Sequence, residues 1–167
     1  MKFLYKLMIV RHHFSKIILF SLLISFLGCQ QKPVFEYSKE FKNDQWNRFD
    51  FVEATVDIKN TNEMYDLQLI LTSNDKYIYD YIALNISLFF SDETVRSRDI
   101  EIRLQDKELN WLGSKENGIV TTPFTYIHGL KFPATGKTKI RIENKMSKIL
   151  LENVSGLKII LTKSGVK

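Results

Sequence analysis

The hydrophobic pattern of this chain repeats every two residues in several short segments. In the first of them Val52, Ala54, Val56 and Ile58 alternate with charged or hydroxyl-bearing residues. The same alternation recurs in residues 65–73, 99–105, 137–143 and 156–162. A period of two indicates strands that bury one face, since successive side chains on a strand point to opposite sides.

Polar turn sequences separate these segments. The stretches NTNE, SNDK, SDET and QDKE are rich in Asn, Asp and Ser, which form tight turns by bonding their own backbone. Short strands joined by such turns are typical of antiparallel sandwiches and barrels. The sequence therefore predicts an all-β protein, an antiparallel β-sandwich of jelly-roll-like form.

One segment departs from this pattern and has helical spacing. In NKMSKILLEN, Asn144 is a suitable N-cap, and Met146, Ile149 and Leu150 fall on one helical face ahead of Gly156. We therefore expect one short helix between the last two strands.

The N-terminus has the pattern of an export signal. A basic stretch beginning at Met1 or Met8 precedes eleven mostly apolar residues, 17–27, which are too few to span a bilayer. Cys29, the chain's one cysteine, follows directly as part of FLGC. This junction resembles the lipobox of bacterial lipoproteins, in which the chain is cut before a cysteine that carries lipid. An ordinary secretory signal with an incidental cysteine, or an uncleaved anchor, is the alternative.

These features predict three parts: a signal peptide at 1–28, a lipidated tether at 29–34 and a single β-sandwich domain at 35–167. The formal charge of +5 belongs to the signal, because four of the 24 basic residues and none of the acidic ones precede Cys29. From Cys29 onward, 20 basic residues face 19 acidic ones. A near-neutral body argues against a nucleic-acid partner.

Catalytic chemistry has little support in the sequence. From Cys29 onward the chain has a single histidine, His128, and its cysteine would be consumed by lipid. We interpret His128 as a loop or strand-edge residue. Zinc-protease, paired-cysteine, EF-hand and phosphate-loop motifs are missing from the sequence. We therefore expect no enzyme activity, no catalytic or metal-binding residues and no cofactor, although a pair of carboxylates is always available in an acidic residue set of this size.

Aromatic residues supply the candidate binding surface. In residues 77–90, one face of the predicted strand is the core side, and it carries Ile82, Leu84, Ile86, Leu88 and Phe90. Tyr77, Tyr79 and Tyr81 then fall on the opposite side, as a row that could stack on sugar rings or contact a protein. The alternative is cross-strand packing, or a bulge near Asp80 that turns the row inward.

The two tryptophans are interpreted first as packing residues. Trp46 follows a polar stretch, and Trp111 lies in the segment NWLG. Together with the three tyrosines, Trp111 is also a candidate residue of a surface that binds a partner or a glycan.

Several segments in order resemble one known family. They are FLGC, KEFKNDQWNRFD, residues 60–90, KELNWLG, GLKFPATGKTKIRIENKM and ENVSGLKIIL. Together they cover nearly all of the chain after the signal, and their order is what carries the likeness. The chain resembles the gliding-motility lipoproteins called GldH, found in Bacteroidota.

The resemblance implies a non-enzymatic, lipid-anchored component or assembly factor of the gliding machinery and its associated secretion system. It implies membrane attachment through lipid, such as palmitate, on Cys29 and contact with other gliding or secretion proteins of the envelope. Surface-exposed lipoproteins of this group carry acidic residues after the cysteine, and QQKP has none. We therefore expect the protein to be anchored by lipid in the outer membrane, with its domain facing the periplasm. The alternative is a glycan-binding envelope lipoprotein that uses the tyrosine row.

Overall fold

A computed structural model of the protein describes residues 32–165. The predicted signal peptide, the junction at Cys29 and the first half of the tether, up to residue 31, lie outside the described residues. Within residues 32–165, no helix is long and apolar enough to cross a membrane.

The described chain is all-β, as the alternation predicts. Eleven strands follow one another: β1 (Phe35–Glu40), β2 (Gln45–Asn47), β3 (Val52–Ile58), β4 (Tyr65–Asn74), β5 (Tyr81–Phe89), β6 (Val95–Arg103), β7 (Ser114–Glu116), β8 (Ile119–Leu130), β9 (Gly136–Asn144), β10 (Leu150–Glu152) and β11 (Val154–Lys163). A single 3₁₀ turn, Lys42–Asp44, separates β1 from β2.

Two antiparallel sheets form the sandwich. One has the order β1-β11-β4-β8-β7 and the other β3-β9-β5-β6, while β10 and β2 form a separate two-stranded ribbon. The long strands pair as nested partners, since β1 pairs with β11, β3 with β9, β4 with β8 and β5 with β6. This is a long hairpin rolled into two sheets, the arrangement of a jelly roll, so the predicted fold class is confirmed.

The core lies between the inner faces of the two sheets. On β3 the side chains of Val52, Ala54, Val56 and Ile58 are buried, and those between them are exposed, as the alternation predicts. Alternate residues of β4, β5, β9 and β11 complete the same cluster. Burial of these apolar faces, at about 25 cal/mol per Å², is the main force that holds the sheets together.

The predicted helix after β9 is wrong. Asn144 ends β9 and accepts a hydrogen bond from the Met146 amide through Oδ1 at 2.9 Å, which closes a turn instead of capping a helix. Met146 is buried, but Ile149 is 61% and Leu150 is 41% exposed. Leu151 is buried instead, because residues 150–152 pair with β2 as a strand. Tertiary pairing therefore overrides the helical spacing of the apolar residues.

Trp46 is a packing residue, as predicted. Its ring is fully buried and stacks on Phe41, with centroids 4.6 Å apart and planes 15° apart. The indole Nε1 donates to the carbonyl of Asp50 at 2.8 Å, so the one polar atom of the ring is satisfied. This contact closes the apolar space beneath the β2–β10 ribbon.

The sandwich has two ends, and the chain enters at one of them. Lys32 precedes β1, whose last residue Glu40 lies beside Gly156 at the start of β11. Because β11 is antiparallel to both β1 and β4, those two strands run the same way and end together. We call the end that holds residues 41–50, 75–80, 104–119 and 145–153 the distal end, since it lies opposite Lys32.

Candidate functional site

His128 contacts a single carboxylate. Its side chain is 76% exposed on β8, and Nδ1 lies 3.3 Å from Oδ2 of Asp66. Asp66 also accepts the backbone amide of Gly129 at 2.9 Å, and that bond is the main reason its pKa lies below the ordinary value. Among residues 32–165, no three His, Cys, Asp or Glu side chains come together as metal ligands.

Asp66 is expected to make the protein acid-sensitive. The pKa of folded Asp66 is lowered mainly by the hydrogen bond from the Gly129 amide. The contribution of Asp66 to folding stability is therefore complete above the unfolded pKa of about 3.9, and it is lost as pH falls through the folded pKa. Asp66→Asn should flatten the fall in urea midpoint between about pH 5 and 2. His128→Ala should leave most of that fall, because the Gly129 amide is the larger cause. An undiminished slope in Asp66→Asn would contradict this assignment.

The three tyrosines do not form an exposed row. Residues 77–80 lie outside any strand, and β5 begins only at Tyr81. Tyr77 is 3% exposed, and its hydroxyl donates to the Tyr81 carbonyl at 3.0 Å. Tyr79 and Tyr81 are half-buried against the core, with the Tyr79 ring edge-on to Tyr77 at 5.6 Å. The prediction of three tyrosines on one exposed strand face is therefore wrong, and the inward alternative describes Tyr77.

Tyr77 is expected to act in folding and not in ligand contact. Burial raises the pKa of its hydroxyl well above the ordinary value, so the group stays neutral and donates its proton. Tyr77→Phe should cost roughly 1 kcal/mol through the lost hydrogen bond, and Tyr77→Ala roughly 3–5 kcal/mol through the cavity. Urea unfolding of both variants measures this difference. Equal stability of Tyr77→Ala and wild type would show that the ring is outside the core.

Trp111 is half-buried at the distal end. It forms an isolated bridge with Gln105 and packs against the edge of the core. Its neighbours Leu109 and Leu112 are 70% and 57% exposed. Trp111 is thus a packing residue at the base of an exposed apolar loop, and like Tyr79 and Tyr81 it is partly buried against the core.

Exposed apolar side chains are concentrated at the distal end. Seven of the ten large exposed apolar residues in the described range lie there, and we call them the distal rim: Phe49, Ile78, Leu109, Leu112, Ile119, Ile149 and Leu150. Ile78 is 80% and Phe49 72% exposed. Large apolar residues gathered on one exposed region mark contact surfaces for other molecules, since scattered single ones need no explanation.

A groove within the distal rim lies between β10 and the loop that precedes β5. We call it the β10 groove; it measures about 330 Å³ and is lined by Ile78, Tyr79, Lys148, Leu150, Leu151, Glu152 and Asn153. Asn153 fixes its wall, because its carbonyl accepts the Asn74 amide at 3.1 Å and its Nδ2 donates to the Lys76 carbonyl at 3.2 Å. Asn153 has a φ of 65°, a left-handed conformation that asparagine tolerates.

A larger cleft, of about 440 Å³, runs beside β1 and β11. Both lysines in its lining are already paired, Lys39 with Asp50 and Lys158 with Glu36. The smaller β10 groove, whose lining includes the apolar side chains of Ile78, Leu150 and Leu151, is therefore the better candidate for contact with a partner.

Sequence reasoning missed the distal rim. Six of its seven members stand among polar residues in the segments NRFD, KYIY, KELNWLG and SKILLE, and the seventh, Ile119, begins β8. The sequence signal that could have revealed the rim is the presence of large apolar residues in segments that are otherwise typical of exposed turns.

Comparison with known proteins finds similarity to one family of lipoproteins. The sequence profile of a family described as GldH lipoprotein matches residues 33–159. A protein of Christiangramia forsetii named gliding motility lipoprotein GldH homolog is 25% identical over 139 residues, which are 83% of this chain and 85% of that protein.

Comparison with solved structures gives only weak likenesses. A family GH115 4-O-methyl-alpha-glucuronidase aligns with 82% of this chain at a TM-score of 0.48 and 11% identity, and this chain spans only 18% of it. A carbohydrate-binding module specific for non-crystalline cellulose aligns with 78% of this chain and 73% of its own, at a TM-score of 0.41 and 11% identity. Neither likeness bears on function.

Proposed function

The chain belongs to the GldH lipoprotein family, and from that premise we propose that it is a non-enzymatic component or assembly factor of the gliding machinery and its associated secretion system. Membership of this family makes it a lipoprotein related to gliding motility, and the family is not a known enzyme family. The finer role proposed is to hold other envelope proteins in place from the outer membrane.

The anchor of this function is Cys29. A signal of basic and apolar residues leads directly to it, and lipid on its thiol would attach the chain without a membrane span. Gln30–Pro33 contains no acidic residue, which supports a domain that faces the periplasm.

The observation that carries the proposal is the distal rim. Its seven apolar side chains lie at the end of the sandwich opposite Lys32, where the chain leaves toward Cys29. Lipid attachment and protein contact would therefore use opposite ends of the sandwich. Large apolar side chains are common at the centre of contact surfaces between proteins, and the rim supplies seven of them.

The glycan-binding alternative has no support from the tyrosines. Stacking on successive sugar rings needs exposed aromatic faces, whereas Tyr77 is buried and Tyr79 and Tyr81 pack against the core. Protein contact remains the function that the exposed residues favour.

Deletion of the gene in its host tests the proposal. We expect loss of colony spreading, a reduced amount of exported adhesin and lower levels of other gliding lipoproteins, all restored by the wild-type gene. Normal spreading and export in the deletion strain would separate this protein from the machinery.

A further inference from the structure

We propose that the free edge of β10 receives an extended, carboxylate-bearing segment of a partner protein as an added β-strand. This inference rests on the proposed function and names how its partner would bind. An extended segment that joins an exposed sheet edge gains main-chain hydrogen bonds, while neighbouring pockets select its side chains.

The register of the β2–β10 ribbon defines which edge is free. Leu150, Leu151 and Glu152 lie opposite Asn47, Trp46 and Gln45. The Arg48 amide donates to the Ile149 carbonyl at 2.7 Å, so the bonded pairs are 48 with 149 and 46 with 151. Because bonded and non-bonded pairs alternate, the amide and carbonyl groups of Leu150 and Glu152 point away from β2.

Those outward groups have no partner within residues 32–165. The backbone amides and carbonyls of Leu150 and Glu152 make no hydrogen bond outside the ladder with β2. Both residues are exposed, and β10 belongs to neither main sheet. Such an edge is a template for another strand, and here neither proline nor a bulge blocks it.

The β10 groove supplies the space beside that edge. Its lining comes from β10 and from Ile78 and Tyr79 across the groove, and none comes from β2. Strands pair about 4.8 Å apart, so an added strand would occupy the groove and place its side chains beside Ile78 and Leu150. Ile78, which is 80% exposed, would gain most from being covered.

The charges around the groove favour carboxylates in the added segment. Lys148 lines the groove, and Lys76 holds its wall through the bond to Asn153. Neither lysine forms an ion pair with any residue in the range 32–165, whereas the groove itself contains one carboxylate, that of Glu152. Lys148 is the cation of the groove lining, so it can pair with a carboxylate of the added segment, and such pairing mainly sets partner choice.

The test places a photo-crosslinking residue, p-benzoylphenylalanine, at position 78 of the full lipidated chain in its own cells. Met64, which is exposed at the other end of the sandwich, is the matched control position. We expect an adduct from Ile78 and not from Met64, and sequencing should identify a short segment with alternating apolar residues and carboxylates. An adduct equal at both positions, one with a second copy of this chain, or one with lipid or glycan would overturn the proposal.

A synthetic copy of the sequenced segment then tests the strand itself. In the free protein the Leu151 amide should exchange slowly and the amides of Leu150 and Glu152 quickly, because only the first is bonded to β2. The added peptide should protect both fast amides. Adduct formation without protection of either amide would mean that side chains dock there without strand pairing, and the proposal would fail.

Glu152→Pro separates this inference from the proposed function. Proline removes the outward amide without removing a bond to β2, so folding should be unchanged in urea, with Glu152→Ala as the control. We expect Glu152→Pro to lower the Ile78 adduct roughly tenfold. An Ile78 adduct at the wild-type level in Glu152→Pro would reject the added strand. The proposed function would still be tested separately by the phenotype of the deletion strain.

Discussion

Replacing Trp46 with alanine is expected to destabilise the protein by roughly 3–5 kcal/mol, a large fraction of the stability of a domain of this size. The ring is fully buried against Phe41, and its indole bonds the Asp50 carbonyl. Truncation leaves a cavity beneath the β2–β10 ribbon and an unpaired carbonyl. Urea unfolding followed by circular dichroism measures the loss.

Phe49→Ala is the matched control for this prediction. Phe49 is an aromatic residue of the turn that follows β2, but it is 72% exposed, so its truncation should change stability by less than about 0.5 kcal/mol. Similar losses in both variants would mean that Trp46 is not the packing centre of this end.

Replacing Cys29 with alanine is expected to move the protein from the membrane fraction to the soluble fraction. The thiol is the only one in the chain, so no other residue can take the lipid. Each buried methylene of an acyl chain contributes about 0.8 kcal/mol, and two or three chains give a stable anchor where one does not. Fractionation with labelled palmitate measures both attachment and modification.

The folded domain provides the control for this change. The Cys29→Ala protein should keep the unfolding midpoint of a wild-type domain expressed without its signal, because Cys29 precedes the described sandwich. A wild-type protein that takes up no palmitate would contradict the lipobox interpretation and favour an ordinary secretory signal.

Most long strands of this fold could be predicted because each carries its own alternation, although β8, the longest, has no regular alternation and was missed. Val52–Ile58 and Tyr65–Asn74 alternate strictly, and their buried faces are the ones that the alternation selects. A period of two fixes which face is buried whatever the strand order. Strand order needs long-range pairing, such as Phe35 opposite Leu161, which no local pattern contains.

The errors concern segments whose structure is set by distant residues. Residues 150–152 have the spacing of a helix but become a strand because Gln45–Asn47 pairs with them. Tyr77 has the alternation of an exposed strand residue, but the chain leaves the strand at 77–80 and turns the ring inward. In both places a tertiary contact outweighs local preference.

The candidate surface was beyond sequence reasoning for a related reason. Phe49, Ile78, Leu109 and Ile149 stand far apart in the chain, and the two sheets bring them to one end. The β10 groove depends further on two three-residue strands, which are too short for periodicity to reveal.

Complementation of the deletion strain with a distal-rim variant tests the central claim most directly. Phe49→Glu combined with Ile78→Glu places two charges on the rim at side chains that folding leaves exposed, and Met64→Glu is the control at the other end. We predict that the double variant is lipidated, folded and present at wild-type level but does not restore colony spreading, whereas the control does. Full spreading with the double variant would contradict a role for this end of the sandwich in the gliding machinery.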